Sequence, residues 1–233
     1  MELDALREQV CAANLQLVAA GLVTLSFGNA SGVDRAAGVM VIKPSGVPYA
    51  TLAPNDLVVV SLADGRVVEG SLRPSSDTPT HLVLFRSFET IGGIVHTHSR
   101  YATAWAQSGR ELPCLGTTHA DHFHGAVPIT RALSAEEIGD EYEQRTGDVI
   151  VETFERLELD PLELPAVLVA SHGPFAWGTA GAQAVENAVA LELVAELAFA
   201  TVLLQPGAEP IGDELLRRHF FRKHGPGAYY GQQ

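Results

Sequence analysis

Apolar residues recur at helical spacing near the start of the chain. They run from Leu3 to Leu17 at intervals of three or four, and Gly21 supplies a natural helix end. Short apolar runs at 23–27, 39–42 and 57–62 then predict strands. Ala63-Asp64-Gly65 joins the last run to residues 66–68 in a hairpin signature. We therefore expect a helix over 3–20 followed by antiparallel strands.

Helical and strand patterns alternate through the rest of the chain. Ser76 or Asp77 is expected to cap a helix that runs to about Phe88. Further helices are predicted at 101–107, 136–146, 149–156, 180–204 and 211–223, and further strands at 93–98, 166–170 and 175–177. The alternation predicts a single domain over residues 1–233, an α/β fold of three α/β/α layers around a mixed, mainly antiparallel sheet.

Composition narrows the classes of function. The 233 residues are 46% hydrophobic, enough for one sizeable core, and a net charge of −13 disfavours nucleic acid as a partner. The N-terminus lacks a basic leader, and Glu192 and Glu196 interrupt the apolar run at 188–204, so we expect no membrane association. Cys11 and Cys114 form no paired motif, which favours the cytoplasm. An anionic ligand would need a local cation.

The candidate chemistry begins with two histidines on one predicted strand. His96 and His98 are two residues apart, so their side chains point to the same face. His172 follows another apolar strand, and three imidazoles without cysteine are typical of catalytic zinc. Hydrogen-bonded strand-end histidines are the alternative interpretation, about equally weighted on these residues alone.

Six motifs in order give the chain a resemblance to a known family. They are Leu25 to Ser31, Ile42 to Gly46, Arg73 to His81, Gly92 to Ser99, Gly116 to Asp121 and Ser171 to Trp177, and a matching tail from Arg222 to Gly231 follows them. With these motifs the sequence resembles the class II aldolase/adducin family, and within it the branch that epimerises L-ribulose 5-phosphate at C4. The resemblance covers essentially the whole chain.

The resemblance implies zinc-dependent retro-aldol chemistry. The C3–C4 bond would break, the aldehyde would rotate, and re-addition would give D-xylulose 5-phosphate. One Zn²⁺ per chain would stabilise the enediolate, held by His96, His98 and His172, with Asp77 beside them. A simple helix cap competes with that role for Asp77. Family aldolases carry glutamate at the corresponding position, so the shorter aspartate favours the epimerase.

The resemblance also assigns the remaining site residues. Asp121 and Tyr230 match the acid/base pair, which in the family reaches the metal from a neighbouring subunit and so implies a homo-oligomer, expected to be a tetramer. Turn glycines, hydroxyls and one lysine would bind the substrate phosphate. These residues are Gly28, Asn29, Lys43, Ser45, Gly46, Ser75 and Ser76, and Thr117, Glu143 and His219 match other active-site positions.

Departures from the family pattern leave alternatives open. His122 and His124 stand where bulky aromatics are expected, with His119 nearby, so the polarity around the metal differs and a second metal there is a minor alternative. Ser26-Phe27 replaces a Thr-Trp pair. The competing functions are a class II aldolase acting on a related substrate such as L-fuculose 1-phosphate and a non-catalytic, adducin-like interaction module.

Overall fold

A computed structural model describes residues 3–230, and its centre is one seven-stranded sheet. The strands are β1 (Gly28–Asp34), β2 (Val39–Ile42), β3 (Val58–Ser61), β4 (Val67–Glu69), β5 (Gly93–Thr97), β6 (Ala166–Leu168) and β7 (Pro174–Gly178). They lie in the order β4-β3-β2-β1-β5-β7-β6, and every pairing in this sheet is antiparallel. The only described parallel pairing is an isolated bridge between Ile129 and Leu168.

Helices cover both faces of the sheet. They are α1 (Leu3–Ala19), α2 (Thr78–Ser87), α3 (Arg100–Ser108), α4 (Thr117–Ala120), α5 (Ala135–Gly139), α6 (Tyr142–Arg156), α7 (Gly181–Leu204) and α8 (Asp213–Lys223), with short 3₁₀ turns at Tyr49–Thr51 and Pro54–Asp56. Helices α1, α3 and α7 share one face. Phe88, which follows α2, and Phe154 of α6 pack on Trp177 on the opposite face. The three-layer α/β/α prediction is confirmed.

Two predicted elements are wrong. Residues 23–27 form a loop in which Leu25 has φ 57° and is 80% exposed, and the strand begins only at Gly28. The two helices predicted at 136–146 and 149–156 are not separated at residues 147–148. The break lies instead before Tyr142, because Glu141 adopts φ 51°. Gly147 sits inside α6, where a Cβ would lie 2.7 Å from Cβ of Val83. The glycine thus marks close packing of α6 on α2.

Candidate metal centre and active site

The end of strand β5 and the turn between β6 and β7 bring three histidines together. His96 lies in β5, His98 follows it, and His172 lies in the turn between β6 and β7. Ser171 has φ 61°, and a Cβ on Gly173 would lie 2.8 Å from the Thr97 carbonyl oxygen, so this turn packs tightly against β5. The three candidate ligand atoms lie within 4.8 Å of one another.

The imidazole of His96 is fixed by its neighbours. Its Nδ1 donates to the Pro174 carbonyl oxygen at 2.9 Å, and its ring stacks on Phe175 at 4.2 Å. The lone pair therefore lies on Nε2, which is 3.1 Å from Nε2 of His98. Burial lowers the pKa of His96 to about 3 and also lowers the pKa values of His98 and His172. Neutral imidazoles that converge in this way fit a divalent cation.

The carboxylate of Asp77 lies beside this centre. Its residue precedes α2, but the side chain makes no capping hydrogen bond and instead accepts one from Nδ2 of Asn29 at 2.6 Å. Burial raises the pKa of Asp77, but His96, His81 and the Asn29 hydrogen bond outweigh it and lower the pKa overall. A capping role is thus not what the geometry favours. Asp77 is, however, outside the group of ligand atoms that the three histidines form.

A pocket of about 360 Å³ opens over the histidines. Every phosphate-type residue predicted from the sequence lines it, together with Glu143 and Asp77. Its lining comprises Ser26, Phe27, Gly28, Asn29, Lys43, Pro44, Ser45, Gly46, Ser75, Ser76, Asp77, His96, His98, Tyr142, Glu143 and His172. The residues predicted to bind phosphate therefore line the same pocket as the three histidines.

Two turns form the polar side of the pocket. The Ser45 N–H donates to the Arg73 carbonyl at 2.9 Å, and the Ser75 N–H donates to the Lys43 carbonyl at 3.0 Å. Lys43 is buried, with Nζ donating to the Val47 carbonyl at 2.8 Å, and burial lowers its pKa. Lys43 is the only lysine or arginine among the described residues that line the pocket. A single cation thus supplies the side-chain positive charge there.

The predicted acid/base residues form a second cluster. Asp121 accepts hydrogen bonds from Nδ1 of His219 at 3.1 Å and from Nε and Nη2 of Arg222 at 2.9 and 2.6 Å. The Arg222 guanidinium carbon lies over the Tyr230 ring, 4.7 Å from the ring centroid. Among residues 3–230, neither Asp121 nor Tyr230, nor Thr117 or His219, lines the histidine pocket. Within one chain, the predicted metal ligands and the predicted acid/base residues therefore lie in separate places. The last residue of the tail motif, Gly231, lies outside the described residues.

The histidine cluster at 119–124 has structural partners. Nε2 of His119 donates to the Gly125 carbonyl at 2.7 Å, and Nδ1 of His124 lies 2.7 Å from a Glu163 carboxylate oxygen. Within residues 3–230, the only group of three or more potential ligands found close enough to share a metal is the His96, His98 and His172 set. A second metal at 119–124 therefore gains no support.

Sequence reasoning missed two residues beside these clusters. The Tyr142 hydroxyl lies 3.4 Å from Nδ1 of His172, where it can orient that ring. Arg222 clamps Asp121, whereas in the sequence it is recognisable only as the first residue of the tail motif. A tyrosine at a helix start and one basic residue among several on α8 carry no distinctive pattern. Only the three-dimensional contacts single them out.

Helix α7 is long and apolar enough to pass a membrane-span test by length and composition. It packs against β5, β7 and α3, and its Glu192 carboxylate accepts the N–H groups of Tyr101 and Ala102 at 2.8 and 3.0 Å. Core helices pass the same test, so the result is weak evidence for a membrane span.

Comparison with known proteins identifies the family. The model for the class II aldolase and adducin N-terminal domain matches residues 8–199. The chain belongs to the class II aldolase and adducin family. It is 55% identical over 228 residues to an L-ribulose-5-phosphate 4-epimerase UlaF from Salmonella paratyphi A, covering 98% of this chain and 99% of that one. The corresponding protein of Salmonella paratyphi C is 54% identical over the same length, with the same coverage.

Solved structures agree on the fold. An L-fuculose 1-phosphate aldolase superposes with a TM-score of 0.78 at 23% identity, covering 94% of this chain and 95% of that one. YgbL from Klebsiella pneumoniae, described as a putative aldolase/epimerase/decarboxylase, gives 0.74 at 23% identity, covering 94% and 99%. At this identity the likeness supports the fold alone.

Proposed function

We propose that the chain epimerises L-ribulose 5-phosphate at C4 to D-xylulose 5-phosphate, using zinc and retro-aldol cleavage followed by re-addition. The single observation that carries the proposal is the three-histidine centre in a chain 55% identical to a 4-epimerase over nearly its full length. His96, His98 and His172 would hold the cation, and the Asp77 carboxylate lies in the same pocket. When bound, the zinc supplies Lewis-acid stabilisation of the negative charge that C–C cleavage leaves on the substrate.

The two paired turns would bind the phosphate. Backbone N–H groups near Gly46 and the hydroxyls of Ser45, Ser75 and Ser76 offer donors, and Lys43 adds positive charge in a chain of net charge −13. Gly28 and Asn29 approach from the neighbouring strand β1. This arrangement would hold the substrate so that its carbon chain extends towards the histidines.

Proton transfer falls to Asp121 and Tyr230. Cleavage requires removal of the C4 hydroxyl proton, and re-addition on the opposite face requires a second acid/base group. Because these residues lie away from the pocket of their own chain, they would serve the pocket of a neighbouring copy, together with Thr117 and His219. Glu143 would act from within the pocket. A homo-oligomer, which we propose to be a tetramer, would then be required for catalysis.

The reaction assay separates the epimerase from the alternative aldolase. Purified protein with zinc is mixed with L-ribulose 5-phosphate, and both D-xylulose 5-phosphate and glycolaldehyde phosphate are followed. The epimerase gives the xylulose product without net release of aldehyde. Accumulating glycolaldehyde phosphate would indicate a class II aldolase, and no turnover of any sugar phosphate with zinc bound would favour an interaction module.

Subunit complementation tests the shared site. His98→Asn removes a metal ligand, and Asp121→Asn removes an acid/base group, so each variant alone should be inactive. Unfolding and refolding an equal mixture should restore about one quarter of the active sites, namely those in which an intact pocket meets an intact Asp121. No recovery in mixed oligomers would place both groups in one subunit's site.

The free Cys11 and Cys114 support a reducing, cytoplasmic location for the reaction.

A further inference from the structure

Arg222 is the residue on which the second cluster converges. It lies near the end of α8, and its side chain is 24% exposed. Its guanidinium donates from Nε and Nη2 to the two carboxylate oxygens of Asp121, at 2.9 and 2.6 Å. The same group lies 4.7 Å from the ring centroid of Tyr230. One side chain thus contacts both residues of the proposed acid/base pair.

The backbone of Arg222 also anchors the tail. Its carbonyl oxygen accepts the N–H groups of Tyr229 and Tyr230 at 2.9 and 3.0 Å. The tail doubles back through Gly225, whose φ of 85° favours glycine. Chain termini fray unless they are tied down. Tyr230 is 59% exposed, so its position depends on these few contacts.

The geometry points to Arg222 as the positioning residue that aligns Asp121 and Tyr230 as one unit. The inference rests on the proposed function, because it assumes that this pair transfers protons. A two-point fork fixes the rotation of the carboxylate plane, which a single contact does not. Stacking on the same guanidinium then fixes the phenol ring relative to that plane.

Lys223 is the natural rival for this role. Its Nζ lies 4.0 Å from Oδ2 of Asp121 and 4.9 Å from the Tyr230 ring centroid. An ammonium is a point charge without a planar fork, and at 4.0 Å it makes no hydrogen bond. Lys223 can therefore supply charge to the cluster but cannot set its geometry.

Several charged or titratable groups lie around Asp121. They are His219, Arg222 and Lys223 of α8, His224 beyond it, and His122 on the same turn, which in turn faces Glu186 of α7. Burial raises the pKa of Asp121, but hydrogen bonds from Arg222 and His219 outweigh it and lower the pKa overall. Losing the fork should therefore raise the pKa of Asp121.

The test compares Arg222→Lys with Lys223→Gln. Arg222→Lys keeps the charge and removes the fork, whereas Lys223→Gln removes a charge and keeps the fork. Arg131→Lys is the matched control, because Arg131 makes equally close contacts with the carboxylates of Glu137 and Glu152 and none of the contacts described for the Asp121 cluster. Three quantities are measured: kcat and KM for L-ribulose 5-phosphate, the pH profile of kcat/KM, and the Asp121 carboxyl titration by carbon-13 NMR.

We expect Arg222→Lys to lower kcat at least about tenfold with little change in KM, since positioned acid/base groups contribute about 10²-fold or more. The acidic limb of its pH profile and the Asp121 titration should both move to higher pH. Lys223→Gln should have the smaller effect on kcat, and Arg131→Lys should match the unaltered protein in every measurement.

The inference is overturned if Arg222→Lys keeps full kcat, or if its Asp121 carboxyl titrates as in the unaltered protein. A larger kcat loss in Lys223→Gln than in Arg222→Lys would also overturn it, because charge would then matter more than geometry. An unaltered protein that binds zinc but does not form D-xylulose 5-phosphate contradicts the proposed function instead. The NMR titration still decides whether Arg222 controls Asp121 in that case.

Discussion

His119 should make the protein lose stability in mild acid. Its side chain is buried, 3% exposed, and Nε2 donates to the Gly125 carbonyl at 2.7 Å. Burial lowers the pKa of His119 to about 4 from an ordinary value of 6.5, with a smaller contribution from His122 and partial opposition from the Gly125 hydrogen bond. The neutral imidazole is therefore the form that the folded protein accommodates.

The direction in which stability changes with pH follows from proton binding. Below pH 6.5 the unfolded chain takes up a proton at His119 that the folded protein does not, so stability falls as the pH falls and levels off below about pH 4. A difference of roughly 2.5 pKa units corresponds to a full loss of about 3 kcal/mol. Between pH 7 and pH 5 the expected loss from this residue is about 2 kcal/mol.

The assay is urea unfolding of the unaltered protein and of His119→Gln at several pH values between 7 and 5, at fixed protein and zinc concentrations. Glutamine keeps an N–H donor for Gly125 but does not titrate. Other buried histidines, such as His81, act equally in both proteins, so they cancel in the comparison. Between pH 7 and pH 5 the unaltered protein should lose about 2 kcal/mol more stability than His119→Gln. Parallel curves across this range would refute the reasoning.

Three further changes test the centre and its support. His98→Asn should reduce the zinc content measured by mass spectrometry from one per chain to near zero with an unchanged circular dichroism spectrum, and full zinc retention would contradict the ligand assignment. Gly147→Ala should cost about 1–3 kcal/mol of unfolding free energy by overpacking against Val83, whereas a neutral result would mean that α2 shifts freely. Lys43→Met should raise KM for the sugar phosphate about tenfold or more with zinc content unchanged, and an unaltered KM would remove Lys43 from phosphate binding.

The helical periodicity and the apolar strand runs predicted most of the fold. Helix α1 and strands β2, β3 and β5 lie within one or two residues of their predicted bounds. In these segments the pattern of buried and exposed positions follows directly from side-chain hydrophobicity. The same patterns predicted the helical layers on both faces of the sheet.

Strand β1 could not be predicted in this way. Its sequence, Gly-Asn-Ala-Ser-Gly-Val-Asp, is poor in the residues that favour strands, and the more strand-like run at 23–27 precedes it. The small residues are needed because α1 packs closely: a Cβ on Gly32 would lie 2.9 Å from Cγ2 of Val10. Asn14 of α1 also bonds both the N–H and the carbonyl of Ala30. Tertiary packing, not local propensity, selects this strand.

Local sequence patterns likewise predicted one part of the candidate site, whereas the other part depends on tertiary contacts. His96 and His98 could be paired from strand alternation, and the geometry bears that pairing out, with Nε2 atoms 3.1 Å apart. That His172 joins them depends on the β6–β7 turn, which the sequence indicates only through an apolar run ending in His-Gly. The clamp of Arg222 on Asp121 spans 101 residues, and no local pattern encodes it. Contacts of that range arise only once the layers have assembled.

The two clusters differ in how firmly their residues are held. His96 is 2% exposed, stacked on Phe175 and hydrogen-bonded to a sheet carbonyl, so a metal would meet a preorganised ligand. Tyr230 is 59% exposed and depends on a short tail. Changes at Asp121 or Tyr230 should therefore leave zinc affinity intact, whereas changes around His96 should alter zinc affinity and catalysis together. Under the proposed function, the rigid half of the site would bind the metal, and the Asp121 and Tyr230 half would transfer protons in the pocket of another copy of the chain.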